Sequence, residues 1–524
     1  MGLFNKRKEE IPPTDLAYPL LTFHNAAKDK PNELDVWRLE DATRGVQGFG
    51  GIGSGKTSGS GREIALAYLR NGYGGIVLTG KVDEKDNWVE LAREAGRSAD
   101  LVVFEVGSHY RFNFLQYELS RQRREGGGYA DNIVALFLSI IKMGNRVNGG
   151  NDLGGKEPFW LMATERLLKA AIDLLRLAKL GKEKVGGGAG EAFELTVTNL
   201  AKLLRDMPLG EGHHRRFNKL SPPGSFDEHA ALQEWADRSF TIYCLTWANA
   251  YINHLNIAVG HVALDSESEQ RTFESVSSYF LNEFPNLAEK TRSSILEHFF
   301  AFASPFRSGL LADYFASGTS PEILPERTFE GKIILLNFPV KQYLQLGVYA
   351  QSIYRKLWQQ AVERRQVGRD TLPVFQWLDE AQYFVNDDDM LFQTTARASR
   401  ACTVMISQNI SNYYAVMGSN SKPMVDSLLG NLATKIFHNN NDAVTNEWAA
   451  ETIGKDYRGN VTTGDGGTSI GQEFQYQFLP KDFTTLACGG KLQNGRVEAV
   501  VTVAGRKWSN NKNFMKVAFQ QKLK

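Results

Sequence analysis

Residues 50 to 57 read Gly-Gly-Ile-Gly-Ser-Gly-Lys-Thr. Glycines at this spacing ahead of a Lys-Thr pair let successive backbone N–H groups turn inward onto phosphate oxygens, and a helix behind them aims its positive N-terminal end at the same place. Such a turn needs a strand before it and a helix after it. Arg44 to Phe49 is strand-like, Glu63 to Arg70 is an amphipathic helical stretch, and the small Ser58, Gly59, Ser60 and Gly61 leave room between them. The expected ligand is ATP or GTP, cradled by Gly50, Gly51, Gly53, Ser54, Gly55, Lys56, Thr57 and Ser58. Lys56 is placed to reach the β- and γ-phosphates, and Thr57 to offer its hydroxyl to Mg2+.

The pattern around this loop is α/β. Gly75-Ile-Val-Leu-Thr and Leu101-Val-Val-Phe-Glu-Val read as buried parallel strands, and strands resume at Lys332-Ile-Ile-Leu-Leu-Asn-Phe, Leu372-Pro-Val-Phe-Gln-Trp-Leu and Cys402-Thr-Val-Met-Ile-Ser. Alternating strand and helix builds a mostly parallel sheet. Between them helical period dominates: Leu161, Leu168, Ile172 and Leu175 share one face of a helix that Pro158 can start and Gly181 can end. Glycine-rich and charged stretches at 144–156, 181–191 and 208–229 read as surface connections. The expected organisation is a leader over 1–38, a nucleotide-binding domain over 39–156 and 316–524, and an all-α domain inserted over 157–315.

A second constellation lies downstream. Val374-Phe-Gln-Trp-Leu-Asp379-Glu380 is an apolar strand ending in two acids. Its carboxyl end is where open α/β sheets place their reactive groups. Asp379 is suited to hold the Mg2+ shell, and Glu380 to polarise the attacking water as general base. A further buried strand ends at Ser407-Gln408, where the amide can contact the γ-phosphate or the lytic water. Just before that strand stand Arg397 and Arg400. An arginine presented by a neighbouring subunit can neutralise charge on a transferring phosphoryl group.

Composition excludes several classes. The formal net charge is +1 with 23% charged residues, so no bulk basic surface announces nucleic acid, although a ring of subunits can line a channel with few basic groups each. The clusters Arg121 to Arg124, His213 to Arg216 and Arg364-Arg365 are candidate phosphate contacts or solvated faces. Cys244, Cys402 and Cys488 show no metal-ligand spacing, which fits a reducing cytosol. Residues 239–264 lack Asp, Glu, Lys and Arg but hold three asparagines and two histidines, and the apolar run 133–143 is too short to span a bilayer. No transmembrane segment is expected. The glycine- and threonine-rich Arg458 to Gln472 reads as a loop, either mobile or facing a channel.

Taken in order, these segments resemble the type IV secretion coupling proteins, the TraG/TraD-type conjugation ATPases of the FtsK–HerA superfamily. The resemblance also rests on Gly80-Lys81-Val-Asp83-Glu84, Tyr110-Arg-Phe-Asn113-Phe-Leu115, Phe159 to Leu168, Trp377 to Glu380, Ile406 to Gln408, and Asn441-Asp442 with Ile453-Gly454. It covers about residues 40 to 505 and implies a RecA-like P-loop NTPase domain carrying the inserted all-α domain. It further implies Lys56 and Thr57 on ATP, Asp379 on Mg2+, Glu380 as base, Gln408 as sensor, and Arg397, ahead of Arg400, as the subunit-bridging arginine. The implied assembly is a hexamer moving DNA, without sequence preference, or a relaxase or other cargo protein joined to DNA. The family's N-terminal membrane helices have no counterpart here, so the expected location is cytoplasmic, with inner-membrane docking through a membrane-protein partner. The alternatives are a nucleotide-switched cargo-protein receptor and a soluble HerA-like motor for DNA packaging or defence.

Overall fold

The structure is a computed structural model that describes residues 11–26, 32–121, 126–147, 157–186, 194–207, 239–258, 264–418, 421–464 and 467–522. The chain forms two compact units. One comprises Met1–Ser108, Arg146–Gly149 and Glu322–Lys524, the other His109–Asn145 and Gly150–Pro321.

Among the described residues the first unit has thirteen strands: β1 (Pro19–Thr22), β2 (Val36–Arg38), β3 (Val46–Phe49), β4 (Gly74–Leu78), β5 (Leu101–Glu105), β6 (Ile333–Asn337), β7 (Val374–Leu378), β8 (Ala401–Ser407), β9 (Thr434–His438), β10 (Lys455–Gly464), β11 (Gly467–Tyr476), β12 (Arg496–Val503) and β13 (Phe514–Gln520). Nine of them make one sheet in the order β13-β12-β9-β3-β8-β7-β4-β6-β5. Strands β9 to β5 in that order are parallel, and β12 and β13 add an antiparallel edge. The near-continuous apolar runs of β4, β6, β7 and β8 reflect burial on both faces. The expected α/β class, with its mostly parallel sheet, is what the chain adopts.

Aromatic side chains fill one face. Helix Arg62–Arg70 buries Ile64, Ala65, Tyr68 and Leu69, and Tyr68 stacks on Phe375 of β7 with centroids 5.6 Å apart. Trp88, from helix Glu84–Glu94, meets Trp377 edge-on at 5.3 Å. Gly75 is forced by this packing, because a Cβ there would stand 2.2 Å from the Phe375 carbonyl oxygen. Another buried contact ties β7 and β8 to two helices. Arg355, in helix Val340–Arg364, donates to Gln376 Oε1 at 2.9 Å and ion-pairs with Asp389, at the start of helix Asp387–Thr395. Gln376 in turn donates to Thr403 Oγ1 at 2.9 Å.

Segment Arg458 to Gln472 departs from the expected loop. It belongs to β10 and β11, an antiparallel pair in register from Lys455↔Tyr476 to Gly464↔Gly467. Tyr457 and Phe474 face each other across it with ring centroids 5.1 Å apart. Cross-strand pairing of alternating residues overrides the glycine content that suggests a loop.

The second unit is helical. Its principal helices are Phe114–Leu119, Ala130–Val147, Glu157–Val185, Val197–Arg205, Phe240–Ala258, Leu264–Ser278, Glu289–Ala303 and Leu310–Phe315. It begins at His109, upstream of the expected start at 157, because Phe112 N and Asn113 N donate to the carbonyls of Tyr314 and Gly318 at 2.8 and 2.7 Å. Gly181 lies inside its helix and does not end it: a Cβ would stand 1.9 Å from the Trp247 carbonyl oxygen, so glycine there permits close approach of helix Phe240–Ala258. A buried Arg176–Glu269 pair, bidentate at 2.8 and 2.7 Å, joins two of these helices. Among the described residues no helix is long and apolar enough to cross a membrane.

Asp389→Ala strands the Arg355 guanidinium, 2% exposed, without its carboxylate. Loss of one partner from such a pair costs about 3–5 kcal/mol. Urea denaturation checks this, and a loss under about 1 kcal/mol contradicts a structural role for the pair.

Candidate nucleotide site

The carboxyl ends of β3, β8, β7 and β4 line up along one edge of the sheet, so the segments leaving adjacent strands are themselves neighbours. Strand β8 lies between β3 and β7, which separates the phosphate loop from the acidic pair by two strand spacings, about 10 Å. The loop closes that gap. Gly50 N donates to the Ser407 and Gln408 carbonyls at 3.3 and 3.2 Å, and Gly51 N to Asn439 O at 2.8 Å, pinning the loop's start to the ends of β8 and β9. Gly53 and Gly55 take φ of +72° and +79°, turns open to glycine. Thr57, opening the helical turn Thr57–Gly61, donates from Oγ1 to Asp379 Oδ2 at 3.0 Å.

Lys56 is 7% exposed and lies in the field of Asp379 and Glu380. Burial lowers its ammonium pKa, against the pull of both carboxylates. Burial raises that of Asp379, Glu380 adds to the rise, and Lys81 and Lys56 oppose it. Glu380 differs. Burial pushes it up, but hydrogen bonds from Lys81 and Gln382 and the charges of Lys81 and Lys56 leave it below the usual carboxylate range. It is therefore ionised at neutral pH, as a general base must be.

Glu380 takes φ +51°, a left-handed conformation that costs a non-glycine residue about 1–2 kcal/mol. Its surroundings offset that cost. Its N–H donates to Asp379 Oδ1 at 3.0 Å, and Tyr383 N donates to its carbonyl at 3.1 Å. Its carboxylate accepts from Gln382 Nε2 at 2.8 Å and from Gln408 Nε2 at 3.3 and 3.4 Å. Lys81 Nζ stands 2.5 Å from its Oε1. Lys56, Thr57, Asp379, Glu380 and Gln408 thus converge in one chain.

Other expected residues serve differently. Ser58 Oγ accepts from Gln521 Nε2 at 2.8 Å, next to the C-terminal strand. Asn113 and Asp442 act as helix N-caps, accepting from Gln116 N and Thr445 N at 3.1 and 2.9 Å. Gly454, at φ +96°, ends the helix Asp442 begins. Arg365 donates to the carbonyls of Ser399 and Leu372 and is not a phosphate contact; burial brings it down to about 10. Most of the Arg121 to Arg124 cluster and all of His213 to Arg216 lie outside the described residues.

Arg397 is not brought to the cluster. It precedes β8, about 20 Å of strand away from Ser407, and makes an ion pair with Glu40 at 2.8 Å, both side chains about half exposed. Arg400 bonds the carbonyls of Thr14, Arg369 and Thr371.

Lys81, Gln382 and His438 carry no local sequence pattern that marks a role. The imidazole of His438, fully buried at the end of β9, shares a 2.7 Å hydrogen bond with Ser60 Oγ under the loop. Burial, then Lys56, pushes it down to about 3. Strand adjacency was the missing signal, because only the order β7-β4 sets Lys81 beside Glu380.

The residues suit a nucleoside triphosphate and Mg2+. Ser54 Oγ is buried inside the glycine loop with no hydrogen-bond partner among the described residues, Lys56 is a buried cation at its end, and a hydroxyl and a carboxylate meet beside it. Oxygen ligands of this kind suit Mg2+.

Residues 373–479, which include β7, β8, Glu380 and Gln408, match the family TraG-D_C, described as the TraM recognition site of TraD and TraG. No curated protein matches the chain. Among solved structures, the bacterial conjugative coupling protein TrwBdeltaN70, in a trigonal form with sulphate, aligns at TM-score 0.50 and 12% identity over 97% of this chain and 94% of its own. TrwB with the GTP analogue GDPNP aligns at TM-score 0.49 and 12% identity over 97% and 96%. TrwB with ADP and Mg2+ gives 0.48 and 12% over 94% and 90%. At such identity the likeness is one of fold.

His438, neutral when folded, takes up a proton on unfolding below its ordinary pKa near 6.5. Stability therefore falls as pH drops from about 6.5 toward 3, with a slope up to about 1.4 kcal/mol per pH unit from this group. In pH-dependent denaturation His438→Gln is expected to flatten the curve over that window; an unchanged slope contradicts the buried neutral imidazole.

Proposed function

We propose, for a chain that is of TraG/TraD coupling-protein type in its fold and in its residues 373–479, that it hydrolyses ATP to move DNA or a protein–DNA complex. The observation that carries this reading is the convergence of a buried Lys56, the Thr57–Asp379 contact and a buried Glu380 carboxyl paired with Lys81 and in reach of Gln408. Lys56 and the loop amides hold the phosphates, Thr57 and Asp379 hold Mg2+, and Glu380 accepts the proton of the attacking water. Bound Mg2+ supplies charge neutralisation of the phosphates. Gln408 touches the base, so it can report on what occupies the site.

A ring supplies the remaining group. Arg397, half-exposed and held by a surface ion pair of little worth, is free to act on a neighbouring subunit's nucleotide, whereas Arg400 is committed to backbone carbonyls. A hexamer with DNA in its channel is the assembly this reading implies. The description of the 373–479 family as a TraM recognition site favours a second reading, a nucleotide-switched receptor for a docking or cargo protein. A membrane-protein partner fits either reading.

Lys56→Ala is expected to abolish nucleotide binding, while Glu380→Gln binds ATP and loses turnover about 10²–10⁴-fold. Equal turnover in Glu380→Gln and wild type overturns the base assignment. DNA is expected to stimulate hydrolysis regardless of sequence and less at higher salt, as released counterions require. Stimulation by a cargo protein with none by DNA selects the receptor reading.

A further inference from the structure

The end of β4 and the turn after it are shaped around Glu380 by three residues, Gly80, Lys81 and Glu84. Strands β4 and β7 pair in parallel with Leu78 opposite Leu378, so Thr79 to Lys81 run alongside Asp379 and Glu380. Gly80 supplies room: a Cβ there would stand 3.0 Å from Glu380 Cβ and 3.2 Å from its Cγ. Lys81 supplies charge, its ammonium 2.5 Å from Glu380 Oε1 on the side open to solvent. Glu84 fixes both, accepting from Gly80 N at 2.9 Å and Lys81 N at 3.1 Å with a buried carboxylate. Gly80 is held from the other side too, its carbonyl accepting from Lys341 N at 3.0 Å.

This arrangement exceeds what a chance surface ion pair needs. Two donors just past the ends of β7 and β8, Gln382 and Gln408, reach the Glu380 carboxylate, yet both are neutral amides. Lys81 is the cation that ion-pairs with it, and it comes from a turn whose backbone N–H groups at Gly80 and Lys81 are both held by the Glu84 carboxyl. A carboxylate in a left-handed turn holds one direction only while such contacts restrain it.

We infer that Lys81 is a positioning residue for the water-activating carboxylate: delivered by the Gly80–Glu84 turn, it holds Glu380 in the geometry that hydrolysis requires. This rests on Glu380 being the general base. Lys81 sits outside the phosphate loop, so its loss is expected to act on the reaction step and not on nucleotide affinity.

The test uses the full-length chain and five forms: wild type, Lys81→Met, Lys81→Arg, Glu380→Gln and the Lys81→Met/Glu380→Gln double variant. Steady-state ATP hydrolysis is expected to show kcat for Lys81→Met down about 10²-fold, the scale of a misplaced catalytic group, with KM for ATP little changed. Lys81→Arg retains most turnover, and the double variant is no slower than Glu380→Gln alone. Hydrogen exchange without nucleotide gives an independent readout: amides of residues 379–384 exchange several-fold faster in Lys81→Met, and Lys81→Met adds nothing once Glu380 is Gln. Wild-type kcat and exchange in Lys81→Met, or equal fold losses in both backgrounds, overturn the inference. A raised KM with unchanged kcat also overturns it and makes Lys81 a phosphate contact. An inactive Glu380→Gln beside an intact Lys81→Met sinks this inference alone; an active Glu380→Gln sinks the base assignment as well.

Discussion

A single contact, Thr57 Oγ1 on Asp379 Oδ2 at 3.0 Å, joins two segments more than three hundred residues apart in the chain and two strands apart in the sheet. Much else in the first unit exists to make it possible. The loop that carries Thr57 must leave β3, pass over the end of β8 and arrive at β7, and its glycines and the Gly50 and Gly51 hydrogen bonds hold it on that path. Beneath it, Tyr68 and Trp88 press their helices onto Phe375 and Trp377 of β7. On the other side Arg355, Gln376 and Thr403 lock β7 to β8. Strand spacing in a hydrogen-bonded sheet is not adjustable, so the loop has to be shaped to it.

That geometry concentrates charge. Lys56, Lys81, Asp379, Glu380 and Glu84 are gathered within one site, most of them buried. Burial alone would neutralise every one of these groups. What separates Asp379 from Glu380 is their company: Glu380 receives the Lys81 ammonium and two amides, while Asp379 receives a hydroxyl and a backbone N–H. Adjacent carboxylates are thereby driven apart, one below its usual range and one above it. Two neighbouring carboxyl groups of similar intrinsic acidity are thus separated by environment alone.

Much of this was legible in the sequence, for reasons that differ by element. The glycine loop, the apolar strand ending in Asp379-Glu380 and the strand ending in Gln408 are local patterns, and each lies where it was expected. Contacts that depend on strand order were not legible: Lys81 on Glu380, Ser60 on His438, and Arg365 turned inward to carbonyls. Two glycine readings failed in instructive ways. Gly181 permits helix packing where an end was expected, and the glycine-rich 458–472 segment pairs as strands. Glycine marks a need for space or for an unusual φ, and sequence does not say which.

In the proposed reading, Thr57 and Asp379, joined by a hydrogen bond at the end of the phosphate loop, would hold Mg2+. The most direct measurement is the affinity of a fluorescent ATP analogue at increasing Mg2+ for wild type and Asp379→Asn. Wild-type affinity is predicted to rise with Mg2+, and the variant to keep its metal-free binding while losing the Mg2+ dependence. The same Mg2+ dependence in both proteins would contradict the account.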